Sequence, residues 1–432
     1  MTISNQANST MRDFLEELEY RGLIYQVTDR EGLDKKLREE PITLYCGYDP
    51  TADSLHIGHL LPVLLLRRFQ EAGHHVVALV GGGTGLIGDP SGRSTERTLN
   101  TTDTVAQYTE SLRGQLSRFL DFERKDNPAK IVSNYDWIAP LDVITFLRDI
   151  GKNFTINYML AKDSVNSRLE NGISFTEFSY MILQSYDFYR LHEDHGVTLQ
   201  VGGSDQWGNI TAGLDLIGKM GGGEAFGMTL PLVTKSDGKK FGKSESGAVW
   251  LDRNKTSAYQ FYQFWINTDD ADVIKFLKYF TFLSRERIAE LETELQQAPE
   301  KRAAQRELAR EVTRLVHGEE AVVSAENITK ALFSGDVAQL SEEELVEALH
   351  DVPTTVVTGG QSESGLIDLL VESKAAPSRR QARQDIESGA VYVNGERVSD
   401  IDAVITADQR LHGKFIVLRR GKKNYFVVRY EG

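Results

Sequence analysis

Two short segments carry the densest chemistry in this sequence. His56-Ile57-Gly58-His59 lies in TLYCGYDPTADSLHIGHLLP, just before an apolar run long enough for a helix. Two imidazoles at i and i+3 in a first helical turn, beside N–H groups that lack intrahelical acceptors, suit a polyphosphate. Ser54 is the expected cap, and Gly58 would let a ligand approach the backbone. A metal pair would need a third ligand, and neither an H-E-x-x-H pattern nor a cysteine partner accompanies the histidines. Far downstream, Ser236-Asp237-Gly238-Lys239-Lys240-Phe241-Gly242-Lys243-Ser244 is polar, Gly-containing and densely cationic. Alone it reads as a solvated surface loop. Paired with a histidine-bearing helix start, it reads as a carrier of ammonium groups that offset charge growing on a phosphate in a transition state.

A third segment misleads. Gly83-Thr84-Gly85-Leu86-Ile87-Gly88 matches the G-x-G-x-x-G pattern and follows a strand-like run. A dinucleotide site needs a helix to open there and receive the pyrophosphate. The next residues, Asp89-Pro90-Ser91-Gly92, break a helix, and the acidic residue further on, Asp103, is not at a strand end. A nicotinamide or flavin enzyme is therefore disfavoured, and a ligand loop at a strand's carboxyl end is expected instead.

These segments need elements to hold them. Ile42–Tyr48 and His75–Val80 are β-rich, Lys130–Val132 reads as the start of a third strand, and GHLLPVLLLRRFQEAG between the first two reads as a helix. Strand, helix, strand at this spacing is a βαβ unit, which implies a parallel sheet covered by helices. Pro62 falls early enough in that helix to be tolerated. From Thr256 to His350 helical periods dominate, and Pro353–Ser364 (PTTVVTGGQSES) reads as a linker. Asn394-Gly395 inside VYVNGERV is a hairpin signal.

Composition sets the outer limits. The 432 residues carry 49 Lys plus Arg against 63 Asp plus Glu, a charge of −14, with 40% hydrophobic and 26% charged residues. Wholesale disorder is excluded on that balance. The single cysteine, Cys46, excludes an intramolecular disulfide framework or a cysteine-rich zinc site. No apolar run approaches the roughly 20 residues of a membrane span, and the N-terminus shows no signal pattern, so a cytoplasmic protein is expected. The charge is uneven. Residues 365–432 hold 12 basic against 9 acidic residues, a net of +3, leaving −17 on residues 1–364.

The segments HIGH and KFGKS resemble the paired signatures of class I aminoacyl-tRNA synthetases, the second usually written KMSKS. YCGYDPTADSLHIGHL, GLIGDPSGRSTERTLN, GISFTEFSYMILQSYDF and QVGGSDQWGNITAG, in this order, resemble the bacterial tyrosyl-tRNA synthetase family over almost the whole chain. The resemblance implies an α/β fold: a Rossmann-like parallel-sheet catalytic domain over residues 1–250, an all-α domain over 251–352, a linker over 353–364, and a small α/β RNA-binding domain of ribosomal-protein S-four type over 365–432. It implies activation of L-tyrosine by ATP with Mg2+, transfer of tyrosine to the 3′ end of tRNA(Tyr), a homodimer, and no tightly bound metal.

By the same resemblance, Tyr45 and Asp187 would meet the phenolic hydroxyl, while Tyr180, Gln184 and Asp89 would hold the α-ammonium group and Gln206 would lie near the carboxylate. Tyr180, Gln184 and Asp187 would share one helix face. Asp49, Thr51, His56 and His59 would line the ATP side, Cys46, Gly203 and Asp205 the ribose, with Gly47 and Gly58 in close approach. Lys240, Lys243 and Ser244, together with Arg93 and Arg97, would reach the phosphates. Phe241-Gly242 stands where the general signature has Met-Ser, a variant usual for the tyrosyl branch, and Arg93 stands where some relatives have lysine. Arg379, Arg380, Arg383, Lys414, Arg419, Arg420, Lys422 and Lys423 would contact tRNA phosphates. The rivals are a nicotinamide oxidoreductase, a non-catalytic RNA-binding protein of this fold, and a tryptophanyl enzyme, which Tyr45 with Asp187 disfavours.

Overall fold

The computed structural model describes residues 13–238, 241–244, 247–350, 352–358, 363–421 and 424–431. Its chain divides into two compact units. The first comprises residues 1–256 and 264–316, the second 257–263 and 317–432.

The first unit is built on a six-stranded sheet: β1 (Gln26–Val27), β2 (Thr43–Tyr48), β3 (His75–Val80), β4 (Lys130–Ser133), β5 (Val197–Gly203) and β6 (Phe226–Leu230). The spatial order is β1-β6-β5-β2-β3-β4, with only the β1–β6 pair antiparallel. The interior strands are continuous apolar runs because both faces are covered; all of Val76–Val80 is buried, as in parallel sheets sandwiched by helices. Helix α1 (Ile57–Glu71) joins β2 to β3, while α2 (Phe175–His195) precedes β5 and α3 (Trp207–Lys219) joins β5 to β6. Between β2 and β5 the winding changes direction, which leaves a crevice at the strands' carboxyl ends.

Gly83–Gly88 opens no long helix. Thr84–Leu86 forms a single 3-10 turn, and the next helix begins only at Thr102. The geometry a dinucleotide fingerprint requires is therefore missing.

The helical stretch does not stand as one body. Helices α4 (Asp270–Phe280) and α5 (Ala303–His317) lie in the first unit, apart from the last residue of α5. Helices α6 (Glu319–Ser334) and α7 (Glu342–Ala348) belong to the second. There Ile328, Leu345 and Leu349 form one core with Phe415, Val417 and Val427 of the terminal strands. Helical periodicity shows that a face is apolar but not which partner will cover it.

The second unit also revises the expected linker. Thr354–Thr358 is strand β7, pairing in parallel with β8 (Asn424–Glu431) at the edge of a five-stranded sheet. Its TTVVT sequence is β-branched throughout, which favours a strand over a linker. Glu363–Gly365 forms another short strand, paired with Val404–Thr406. Helices α8 (Leu366–Glu372) and α9 (Arg379–Glu387) pack on the sheet through Leu366, Leu370 and Ile386. Asn394 and Gly395 have φ values of 50° and 92°, the left-handed pair that a tight hairpin turn requires.

Candidate functional site

A cavity of about 340 Å³ lies over the carboxyl ends of β2 and β5, at the point where the sheet winding reverses. Strand β2 contributes Tyr45, Cys46 and Gly47, and the loop after it Asp49 and Thr51. The start of α1 adds His56, Gly58 and His59, and α2 adds Tyr180, Gln184 and Asp187. The end of β5 and the turn after it supply Gly203, Asp205 and Gln206, while the loop after β3 supplies Asp89 and Arg97. Arg93 is exposed and outside this lining. Lys240 lies outside the described residues, as do the side chains of Lys243 and Ser244.

The closed end is a buried polar network. Asp187 accepts from Trp137 Nε1 at 2.7 Å and from Asn134 Nδ2 at 2.9 Å. Burial nevertheless pushes its carboxyl up to about 8, because those two bonds do not replace the lost hydration. Tyr45 is fully buried against Phe188, with ring centroids 5.5 Å apart, and its hydroxyl has no partner among the described residues. A buried unpaired hydroxyl is costly, so a cavity that leaves one beside a carboxyl is suited to a ligand that can hydrogen-bond.

The middle is equally tied down. Asp49 accepts from Tyr180 Oη at 2.6 Å and from Thr84 Oγ1 at 2.7 Å, and burial raises it to about 6. A Cβ on Gly81 would come within 2.0 Å of Asp49 Oδ1, so only glycine fits there. Asp89 accepts from Gln206 Nε2 at 2.8 Å and from the Ser91 amide at 2.9 Å. Gln184 Oε1 accepts from Asn209 at 3.0 Å. These carboxylates and amide oxygens make the middle of the cavity rich in hydrogen-bond acceptors. Burial pushes the Cys46 thiol up to about 12, so it is no nucleophile at neutral pH.

At the start of α1 the expected cap is replaced. Ser54 donates to the Leu55 carbonyl at 2.7 Å, and the cap is His56. His56 Nδ1 accepts from the Gly58 amide at 3.0 Å, and His59 Nδ1 accepts from the His56 amide at 3.2 Å. The imidazoles thus form a reciprocal capping pair, with rings 3.9 Å apart. A Cβ on Gly58 would meet the His56 ring at 2.7 Å, which explains the glycine between them. Burial lowers both residues, His59 to about 3, helped by repulsion from His56 and Arg97. Each neutral ring therefore accepts at Nδ1 and keeps its proton on Nε2, so each offers one further donor.

The cationic segment reaches this helix start through the backbone. Val249 accepts from the Ile57 amide at 3.0 Å and donates to the Gly242 carbonyl at 3.0 Å. Gly242 lies against Ile57 and Gly58. Lys243–Ser244 pairs with Gly247–Ala248 as a two-stranded ribbon. Phe241 sits among Phe264, Trp265, Phe276 and Phe280, with centroids 5.2–5.9 Å away.

Several residues of the site escaped the sequence reading: Thr84 and Gln200 line the cavity, while Asn134, Trp137 and Asn209 hold Asp187 and Gln184, which line it. Asn134 and Trp137 follow β4 in SNYDW, and the rule that ligands gather beyond strand carboxyl ends would have pointed to them. Asn209 had no local signal, since it acts by bridging Gln184, Gln206 and Ser91.

In the second unit, the basic residues are unequal. Arg380 and Arg383 are exposed on α9 without an ion-pair partner among the described residues. Arg379 pairs with Asp368, Lys414 with Glu342 at 2.6 Å, and Arg420 with Asp385 at 2.8 Å. Arg419 lies over the Tyr392 ring at 3.8 Å. Lys422 and Lys423 lie outside the described residues.

Comparison with known proteins agrees with this geometry. A family model described as tRNA synthetases class I (W and Y) matches residues 36–334, and one for the tyrosine–tRNA ligase SYY-like C-terminal domain matches 344–428. A tyrosine–tRNA ligase of Geobacillus stearothermophilus is 64% identical over 419 residues, covering 97% of this chain and 100% of that protein. Tyrosine–tRNA ligase 1 of Bacillus cereus (strain ATCC 10987) is 65% identical, covering 96% and 99%. Among solved structures, a C-terminally truncated mitochondrial tyrosyl-tRNA synthetase of Aspergillus nidulans superposes with a TM-score of 0.69 at 32% identity, covering 76% of this chain and 98% of that one.

Proposed function

The chain belongs to the class I tRNA synthetases of the tryptophan and tyrosine type, and within them to the tyrosine–tRNA ligases; on that premise we propose how its cavity divides the work. The reaction has two steps. The carboxylate of tyrosine attacks the α-phosphorus of ATP and pyrophosphate leaves, giving tyrosyl-adenylate. A terminal ribose hydroxyl of tRNA then attacks the acyl carbon and AMP leaves.

In our reading the phenol enters the closed end, where Tyr45 and Asp187 exchange hydrogen bonds with it. The observation that carries this is the Tyr45 hydroxyl, buried without a partner beside a carboxyl that burial has raised to about 8. Phenylalanine would leave the Tyr45 hydroxyl unpaired and bring no polar group to Asp187, a form of rejection already documented for tyrosine-activating enzymes. Tyr180, Gln184 and Asp89 receive the ammonium group, with Gln206 towards the carboxylate. Cys46, Gly47, Asp205 and Gly203 take the ribose side. Asp49 is bonded to Tyr180 and Thr84, which favours a role in fixing Tyr180 over direct contact with ATP.

The neutral imidazoles of His56 and His59, with Thr51 and Gly58, meet the phosphates at a helix N-terminus. Lys240, Lys243, Ser244, Arg93 and Arg97 add cationic and hydroxyl donors as pyrophosphate separates. Mg2+ enters as a companion of the nucleotide. No protein nucleophile is required, so rate comes from positioning and charge stabilisation. Tyrosine-dependent exchange between ATP and pyrophosphate, with phenylalanine and tryptophan as controls, tests the reading. Exchange driven equally by all three would overturn it.

We further propose that Arg380 and Arg383, the unpaired basic residues of α9, lead tRNA binding through phosphate contacts. Ending the chain before residue 354 should spare pyrophosphate exchange and abolish most tRNA charging; full charging would refute that role. A homodimer is also part of the proposal. It is supported by the exposed large apolar side chains concentrated at Val143, Ile144, Leu147, Ile156 and Phe175. Sedimentation of the full chain measures it. Cytoplasmic location belongs to the same reading; no helix among the described residues is long and apolar enough to cross a membrane.

A further inference from the structure

The segment that carries Arg93 and Arg97 is almost unsupported. Among the described residues, positions 92–100 make three hydrogen bonds. The Arg93 amide donates to the Pro90 carbonyl at 3.2 Å, Arg97 Nε donates to the Asp89 carbonyl at 3.3 Å, and the Arg97 amide donates to Glu177 Oε1 at 3.2 Å. The last bond is the only one that ties this segment to a distant element.

Glu177 is unusual for its position. It is the third residue of α2, in Ser174-Phe175-Thr176-Glu177, the spacing of a capping box. Ser174 does accept from the Glu177 amide at 3.2 Å. The carboxylate, however, does not return to the cap. It turns inward, where Glu177 is 1% exposed, and lies 2.8 Å from Nη2 of Arg168, itself 2% exposed. That contact rests on charge and proximity more than on an aligned hydrogen bond, since Glu177 Oε2 and the Arg168 Nε and Nη1 atoms lack hydrogen-bond partners. A buried ion pair with open donors is seldom a net source of stability and is better explained by what it positions.

We infer that Arg168 and Glu177 form a positioning pair that fixes the Arg97 backbone, and so sets where the Arg97 guanidinium enters the phosphate end of the cavity. Arg168 orients Glu177 through the 2.8 Å contact, and Glu177 Oε1 holds the Arg97 amide. Neither residue lines the cavity, whereas Arg97 does. The inference rests on the reading that Arg97 acts on the pyrophosphate.

The test is a double-mutant cycle on the rate of adenylate formation, measured by single-turnover pyrophosphate release from the full-length enzyme. Arg97→Ala should slow the step; no slowing would overturn the assignment of Arg97 and leave the pair without a client. The double variant Arg168→Leu/Glu177→Leu removes the ion pair without stranding a charge. It should slow adenylate formation by about 10–100-fold, the scale of a misplaced catalytic contact, with little change in tyrosine affinity. Added to Arg97→Ala, it should slow the step no further, because both act through one guanidinium. Arg168→Met/Glu177→Gln keeps an acceptor for the Arg97 amide without stranding the Arg168 charge; it should recover most of the rate, and it serves alone if the leucine pair fails to fold. The inference is overturned if the leucine pair keeps the parent rate, if its effect multiplies with that of Arg97→Ala, or if Arg168→Met/Glu177→Gln is as slow as Arg97→Ala.

Discussion

The two ends of the cavity are built in opposite ways. At the closed end, Asp187, Asn134, Trp137 and Thr84 are locked by hydrogen bonds of 2.7–2.9 Å to residues of different elements. At the open end, residues 92–100 are held by three bonds among the described residues, and the cationic segment is anchored by the packing of Phe241 and by backbone bonds at Gly242 and Lys243–Ser244. A site that must reject a missing hydroxyl needs groups that cannot relax, whereas one that follows charge onto a departing phosphate needs cations that can be brought into place. On the proposed assignment of the two ends, the contrast separates selectivity from rate.

That separation can be broken experimentally. The largest expected effect is at the open end. Lys243→Ala should slow adenylate formation by about 10²–10³-fold, as loss of a transition-state donor does, and leave tyrosine affinity near the parent value. An unchanged rate of pyrophosphate release would erase the distinction. Asp187→Ala should act the other way, reducing the ratio of kcat/KM for tyrosine over phenylalanine by about 10–100-fold. Equal ratios in variant and parent would show that selectivity lies elsewhere. Phe241→Ala removes a ring stacked on Phe280 at 5.4 Å. It should slow adenylate formation by about tenfold, with Phe241→Met restoring most of the rate through a side chain that fills irregular gaps. A loss of tyrosine affinity instead would tie the anchor to the wrong end.

The smallest effect concerns stability. Asp187 ionises at about 8 in the fold and near the ordinary 3.8 when unfolded. Between those values the folded state binds the extra proton, so the contribution of this group declines as pH rises from 4 to 8 and is level above that. Asp187→Asn lacks the slope, so its melting temperature should gain on the parent's across that range. A variant melting temperature that instead falls relative to the parent's as pH rises would reverse the sign and exclude the burial argument.

Much of this was legible in advance. Strands at Thr43–Tyr48 and His75–Val80 follow from apolar runs, and the helix between them from its length. Of the residues that gather at the cavity, the paired histidines around Gly58 and the carboxylate inside an apolar stripe stood out by type, whereas Tyr45, Asp49, Asp89 and Asp205 came from the family resemblance alone. The linker and the boundary of the helical region were not legible. β7 exists because β8 offers it an edge, and α6 and α7 leave the preceding helices because Phe415 and Val427 cover their apolar faces.

The sequence alone determined the parallel sheet, the two nucleotide signatures and the basic tail hidden within a charge of −14. Local periodicity and residue type encode these directly. Tertiary structure alone decided that His56 caps its own helix, that Asn134 and Trp137 hold Asp187, and that Glu177 abandons a capping box for Arg168 and Arg97. Each is a choice among partners far apart in the chain, made by burial, and burial is a property of the folded whole.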